Sequence, residues 1–90
     1  MVDIKELREM IKSIDQEIIE LIATRMEIAD ELAEAKKANH QDVWDANVEK
    51  EIIARYKMLC DEVSLSDEEA EHIAEVILKI SRERQKKHFK

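Results

Sequence analysis

The feature that most constrains the fold of this chain is an unbroken apolar repeat near its start. Apolar side chains recur at alternating intervals of three and four residues, at Ile4, Leu7, Ile11, Ile14, Ile18, Leu21, Ile28, Leu32 and Ala35. This spacing places them along one face of an α-helix, and the chain contains no Gly and no Pro to interrupt it. The sequence therefore predicts a first helix from about residue 4 to about residue 38.

One position of the repeat carries a charge. Arg25 stands where the spacing calls for an apolar side chain, and a cation on an apolar stripe is costly unless something pairs with it. Lys36 follows eleven residues later, which on an ideal helix is about 20° in azimuth and about 16 Å along the axis. Ala29 and Leu32 form a shallow apolar floor between them. We therefore expect a small dianion to bind between these two cations.

Two shorter helices are predicted to follow. Asp45 is placed to cap a second helix, and Ser66 with Glu69 three residues later forms a capping-box motif ahead of a third. The predicted elements are a helix over about 4–38, a loop over 39–45, a helix over about 46–62 and a helix over about 67–88. The predicted fold class is all-α, a single domain over residues 1–90 with one long and two medium helices.

The length of the first helix predicts a second copy of the chain. A helix of roughly 35 residues is about 50 Å long, whereas a compact globule of this size is about 30 Å across. Two shorter helices cannot cover its apolar face, so we expect an intertwined homodimeric helical bundle. Arg8 borders the same face about 25 Å before Arg25. It could therefore reach the Arg25 and Lys36 of the partner subunit if the long helices run antiparallel.

Composition argues against several classes of partner. The formal net charge is −7, whereas binding to nucleic acid or to an anionic membrane is driven by a surplus of Lys and Arg. No apolar run is long enough for a membrane span or a secretory signal. The single cysteine, Cys60, has no internal disulfide partner and sits on an apolar stripe. It is expected in the core, and the chain in a reducing cytoplasm.

No metal or cofactor site is expected from the sequence. No His, Cys or Asp cluster has the spacing that holds a metal. His40, His72 and His88 fall in a loop, on an outer helix face and in the tail, and each is expected to be solvated.

Further polar residues border the apolar faces of the second and third helices. Glu49 lies one turn after the cap Asp45, and Ser81 and Gln85 follow Ile77 at intervals of four. Each also has an ordinary structural explanation: Glu49 is a first-turn acid, Asp45 is a helix cap, and Ser81 and Gln85 are half-exposed polar residues. Together with the three cations of the first helix, they suit a substrate with two carboxylates. The reaction would need no base, nucleophile or redox group, since electrostatic stabilisation and restraint would carry the rate.

These residues match a known pattern. The stretch LREMIKSIDQEIIELIATRMEIADELAEAKK, then D-A-N-V-E, then S-R-E-R-Q, resembles the all-helical chorismate mutases of the AroQ class, from Leu7 to Gln85. The resemblance implies an interlocked dimer of three-helix chains. It also implies conversion of chorismate to prephenate by a Claisen rearrangement, without a cofactor, on the route to phenylalanine and tyrosine.

The resemblance also implies roles for individual residues. Arg8 of the neighbouring subunit and Arg25 would bind the two carboxylates of the substrate, with Ser81 assisting one of them. Lys36 and Gln85 would donate hydrogen bonds to the ether oxygen, where negative charge grows as the C–O bond breaks. Lys36 would therefore act mainly in the transition state.

Glu49, with the backbone near Asp45, would hold the ring hydroxyl. The implied catalytic residues are Lys36, Gln85, Arg25 and Glu49, and the implied apolar walls are Leu32, Ile52 and Leu78. One position departs from the pattern, because many bacterial members carry D-x-x-R-E where this chain has D-A-N-V-E. Val48 thus occupies a substrate-binding position without supplying its cation.

Two other functions remain open at this stage. An isochorismate pyruvate lyase shares the fold and the site, and would release pyruvate and salicylate rather than prephenate. A helical dimerisation module without activity would neutralise Arg25 with an acid of the partner helix, so Arg25→Leu would then stabilise the dimer.

Overall fold

Three α-helices make up this chain. The computed structural model describes residues 3–89, and in that range the helices are α1 (Ile4–Ala38), α2 (Ala46–Glu62) and α3 (Asp67–Lys87), with no strand. The predicted all-α class with one long and two medium helices is confirmed. The helix ends agree with the predicted ones except at the end of α3, where His88 is the C-cap rather than the last helical residue. Residues 1, 2 and 90 of the predicted domain lie outside the described range.

Each helix begins at a side chain that accepts backbone N–H groups. The Asp3 carboxylate accepts from Glu6 N at 2.8 Å at the start of α1. Asp45 caps α2, and Ser66 and Glu69 form a complete capping box at the start of α3. These bonds satisfy donors that a helix otherwise leaves unpaired, which is why the polar residues set the start points.

The ends of α1 and α2 turn without glycine. His40 and Ser64 adopt left-handed backbone conformations, with φ of 56° and 64°. The next residue in each case closes the turn, through Gln41 N to Lys36 O at 2.8 Å and Leu65 N to Cys60 O at 2.9 Å. This is the Schellman arrangement, which usually has Gly at the left-handed position. The two turns direct the chain sharply out of each helix.

The core lies where α3 packs against α2 and against the C-terminal half of α1. Its buried apolar residues are Met26, Ala29, Ala33, Cys60, Ala70, Ala74, Ile77 and Leu78. Four of these are alanines, whose small side chains let helix axes approach closely. Cys60 is in the core, as expected. No helix within residues 3–89 is both long enough and apolar enough to cross a membrane.

The N-terminal half of α1 has no cover from its own chain. Every residue from 3 to 21 is exposed, and the molecule measures 58 × 23 × 15 Å because this half projects from the core. The exposed apolar residues include Ile4, Leu7, Ile11, Ile14, Ile18 and Leu21, at 46–70% exposure. A row of apolar side chains this long is unusual on the free surface of a stable monomer.

A charged cluster joins the end of α3 to α1, and it includes a histidine that was expected to be solvated. Arg84 donates two hydrogen bonds to Asp30, at 2.6 and 3.2 Å. The His88 ring nitrogens lie 2.7 Å from Glu34 Oε1 and 3.1 Å from Asp30 Oδ1. The expectation for His88 was wrong because its two partners lie 54 and 58 positions away, where helical spacing carries no information.

The carboxylates shift the protonation of this histidine. Hydrogen bonding to Glu34, and then to Asp30, raises the pKa of His88 above its ordinary value, and the hydrogen bond from Arg84 lowers the pKa of Asp30. A raised histidine pKa adds stability below the unfolded value, and that stability disappears as pH rises through the folded value. A lowered aspartate pKa adds stability above its unfolded value. The cluster therefore stabilises the fold most between these limits, at about pH 5 to 6.

We expect His88→Gln to lower the free energy of unfolding near pH 5.5 and to have a smaller effect at about pH 9, because the stability that comes from a raised histidine pKa disappears as pH rises. Urea denaturation at both pH values, at one protein concentration, measures the difference. His72→Gln is the control, since His72 is exposed on α3, the helix that His88 caps. An equal loss at the two pH values would contradict a charged contact.

Candidate functional site

An open cleft of about 1060 Å³ lies beside the core, and it gathers seven of the eight predicted site residues. Its walls carry Arg25 and Lys36 from α1, Asp45, Val48 and Glu49 from the start of α2, and Ser81 and Gln85 from α3. All three helices therefore contribute to one site. The loop between α1 and α2 also lines the cleft, through His40, Gln41, Asp42 and Trp44.

A chain of hydrogen bonds runs along one wall from Lys36 to Ser81. Lys36 Nζ donates to Gln85 Oε1 at 2.8 Å and to the carbonyl of Val43 at 3.1 Å. Gln85 Nε2 donates in turn to Ser81 Oγ at 2.9 Å. Gln85 and Ser81 are only 2% and 4% exposed, so they are ordered members of the wall rather than half-exposed surface residues.

Each member of this chain keeps a hydrogen for a ligand. Within residues 3–89, Lys36 uses two of its three N–H donors and the Gln85 amide uses one of two. In the same range the Ser81 hydroxyl accepts a bond and no contact uses its own hydrogen. Because the bonds run in one direction from a cation, each strengthens the next donor. The wall thus offers donors to an anionic or ether oxygen.

Arg25 lies half-buried on the same side of the cleft. Within residues 3–89 no hydrogen bond or ion pair engages its guanidinium, and the apolar Ala29 and Leu32 lie between it and Lys36 on the cleft wall. An unpaired, partly desolvated arginine beside an ordered ammonium is an arrangement suited to a carboxylate.

Glu49 stands at the acidic side of the cleft, held by two residues that the sequence analysis missed. The Trp44 indole donates to Glu49 Oε2 at 2.7 Å, and Arg82 donates to Glu49 Oε1 at 3.1 Å. The Arg82 guanidinium also lies 5.0 Å from the centre of the Trp44 ring, and Lys36 Nζ lies 5.8 Å from it. Both distances are within the range of a cation–π contact, so Trp44 interacts with two cations as well as with Glu49.

Asp45 and Val48 take simpler places. The Asp45 carboxylate accepts from Asn47 N at 2.8 Å and from Val48 N at 3.4 Å, so it is occupied in capping α2. Val48 lines the cleft with its side chain 47% exposed. It adds apolar surface at that point and no charge.

Arg8 is the one predicted site residue away from the cleft. It lies on the exposed half of α1, well before Arg25 on the same helix. This location agrees with the expectation that Arg8 cannot serve the site of its own chain.

A family model described as chorismate mutase type II matches residues 7–86. The chain belongs to the chorismate mutase type II family. A search of curated proteins returned no significant match.

Membership of the chorismate mutase family bears on the class of reaction. The family implies an isomerase reaction on a small molecule. Within residues 3–89 no three His, Cys, Asp or Glu side chains are grouped to bind a metal ion.

Trp44 and Arg82 were missed for an identifiable reason. Trp44 is the only tryptophan and directly precedes the helix cap Asp45, which was the one available signal. Arg82 lies about 100° around the helix from Ser81, off the stripe that marked the site. Its partner Glu49 is 33 positions away on another helix. His40 was expected to be solvated, and it is exposed but borders the cleft.

We expect Gln85→Met to lower the free energy of unfolding by about 1–3 kcal/mol, because Lys36 and Ser81 each lose a buried hydrogen-bond partner while side-chain volume is nearly kept. Urea denaturation measures this loss. Gln16→Met, on the exposed face of α1, is the control and should change little. Equal effects of the two substitutions would show that the Lys36 to Ser81 chain contributes nothing to stability.

Proposed function

We propose that the protein is a chorismate mutase that converts chorismate to prephenate in phenylalanine and tyrosine biosynthesis. The observation that carries the proposal is the cleft, found in a protein of this family. Arg25 and the hydrogen-bonded residues Lys36, Gln85 and Ser81 all line it. A substrate with two carboxylates and an ether oxygen would use each of these donors.

The reaction is a rearrangement within one molecule. The C–O bond of the enolpyruvyl ether breaks while a C–C bond forms, so no proton or electron passes to the protein. The protein therefore has two tasks, to hold the substrate in a folded conformation and to stabilise negative charge on the ether oxygen.

Lys36 and Gln85 would stabilise the ether oxygen, using the N–H groups left free in the described contacts. Arg25 would bind a carboxylate, with the Ser81 hydroxyl as a second donor to it. Because charge on the ether oxygen exists mainly in the transition state, the donors to it would raise kcat, whereas Arg25 would chiefly select and orient the substrate.

The other side of the cleft would orient the ring. Glu49 would accept a hydrogen bond from the ring hydroxyl, beside the backbone of Asp45. Leu32, Ile52 and Leu78 line the cleft between the two polar sides and would press the enolpyruvyl arm over the ring. Val48 would bind by apolar contact, in place of the cation that many bacterial members have there.

A homodimer with shared sites would complete each cleft. The exposed apolar row on α1 requires cover, and a second long helix of the same sequence offers a matching row. In an antiparallel arrangement, Arg8 of the partner subunit would supply the second arginine for the dianion. The single free cysteine, buried Cys60, is compatible with a cytoplasmic enzyme.

Loss of chorismate absorbance, with separation of the products, tests this function. We expect prephenate, and we expect Lys36→Ala to lower kcat by about 10²- to 10³-fold because a donor to the developing charge is removed. Lys50→Ala is the control, since Lys50 is exposed on α2 outside the cleft. Pyruvate and salicylate from isochorismate would identify a lyase instead, and a folded protein without turnover of either substrate would refute an enzymatic role.

Mixing inactive Arg8→Ala and Lys36→Ala chains should restore activity if the sites are shared. Each heterodimer would contain one site with both residues intact, so random exchange should recover about one quarter of wild-type activity. Activity after urea-assisted mixing and refolding measures this recovery. No recovery, once mass spectrometry has verified subunit exchange, would contradict shared sites.

A further inference from the structure

The Glu49 carboxylate has a hydrogen-bond donor on each of its oxygens. Trp44 Nε1 lies 2.7 Å from one and an Arg82 nitrogen lies 3.1 Å from the other. Two bonds to different oxygens fix both the direction and the rotation of the carboxylate plane. Each oxygen accepts two hydrogen bonds when ionised, so one position on each remains for a ligand.

Arg82 reaches Glu49 from outside the cleft. Its side chain borders a separate groove of about 570 Å³ between α2 and α3, where Glu49 and Leu78 form a partition between the two volumes. Arg82 is absent from the cleft wall itself. A ligand in the cleft would therefore contact Glu49 and Trp44, and Arg82 would act on it only through them.

The three side chains also support one another. The Arg82 guanidinium lies 5.0 Å from the Trp44 ring centre, so the arginine pairs with Glu49 and with the indole that binds the same carboxylate. Arg82 Nε is buried without a hydrogen-bond partner in the described part of the chain. A buried unpaired donor is unfavourable, so an arginine without other contacts would turn this N–H toward water. The contacts with Glu49 and Trp44 therefore hold the Arg82 side chain in place.

Arg82 is also the one cation that bonds Glu49 within residues 3–89. The preceding residue on α2, Val48, supplies none. The positive charge beside the Glu49 carboxylate thus comes from Arg82 of α3, the residue that follows Ser81.

We propose that Arg82, with Trp44, is a positioning residue that holds Glu49 in the orientation needed to accept a hydrogen bond from the hydroxyl of the bound substrate. The role in turnover rests on the proposed function. Because the bond to the hydroxyl exists before and during the reaction, loss of Arg82 raises KM more than it lowers kcat.

Steady-state kinetics with chorismate tests the role in turnover. We expect Arg82→Ala to lower kcat/KM by about tenfold, mainly by raising KM. Arg82→Lys should lower it less, since lysine keeps the positive charge but lacks the planar guanidinium that donates several hydrogen bonds. In a Glu49→Ala background, which removes both acceptor oxygens, the additional effect of Arg82→Ala should vanish. An equal loss in both backgrounds would overturn action through Glu49.

The single tryptophan supplies a second readout that needs no activity. The indole N–H of Trp44 gives one resonance, and its exchange with water reports whether Glu49 is held. We expect Arg82→Ala to speed this exchange, and Lys79→Ala to leave it unchanged. Lys79 borders the same groove and has no hydrogen bond or ion pair within residues 3–89.

The two measurements separate the possible failures. Unchanged indole exchange in Arg82→Ala overturns the positioning role, whatever the activity. A wild-type protein that leaves chorismate untouched refutes the proposed function, while the exchange experiment still decides whether Arg82 orders Glu49. If Arg82→Ala does not fold, Arg82→Lys carries the same two measurements.

Discussion

The interaction on which the site depends is the set of bonds made by one ammonium group. Lys36 Nζ, on α1, bonds the loop carbonyl of Val43 and the buried amide of Gln85 on α3. A partly desolvated ammonium without acceptors is costly, so these contacts fix the distance between α1 and α3 and hold the loop against them. The backbone of Lys36 also closes the turn at His40. Lys36, which we propose stabilises the developing charge, therefore also builds the wall around it.

The charge distribution of the cleft runs against that of the chain. The net charge of −7 opposes the approach of a dianion, and the cleft counters it locally with Arg25 and Lys36. Glu49 also lines the cleft and is the acceptor there for a hydroxyl hydrogen, paired on its other oxygen with Arg82. A substrate with anionic groups at one end and a hydroxyl at the other would enter in one orientation only. This selectivity comes from placement, since the chain as a whole repels anions.

Helices and most site positions follow from local rules, and the remaining contacts do not. The starts of α2 and α3 were predictable because Asp45 and Ser66 cap their own helices through bonds spanning two or three residues. The shared face of Ser81 and Gln85 was predictable because regular spacing marks one helix face, whereas their grouping with Lys36, 49 positions from Gln85, came from the family resemblance. The pairing of Glu49 with Arg82 was not, because it depends on the rotation of two helices about their axes and on side-chain conformers.

The exposed half of α1 marks another limit of local reasoning. Its apolar repeat predicts a helix with one face to cover, and the structure has that helix with the face uncovered. Spacing along a chain indicates that cover is needed without indicating what supplies it.

The position of α3 has a consequence for how the site can change. This helix carries Gln85 and Ser81, which form the hydrogen-bonded wall with Lys36, and Arg82, which follows Ser81 and bonds Glu49. It therefore supports both ends of the cleft. Turning α3 about its axis to widen one end would pull the other end out of alignment. Substitutions that repack α3 therefore change both ends of the cleft together. Adaptation to a longer or shorter ligand is restricted to the loop between α1 and α2 and to positions such as Val48, whose side chain makes no hydrogen bond to α3.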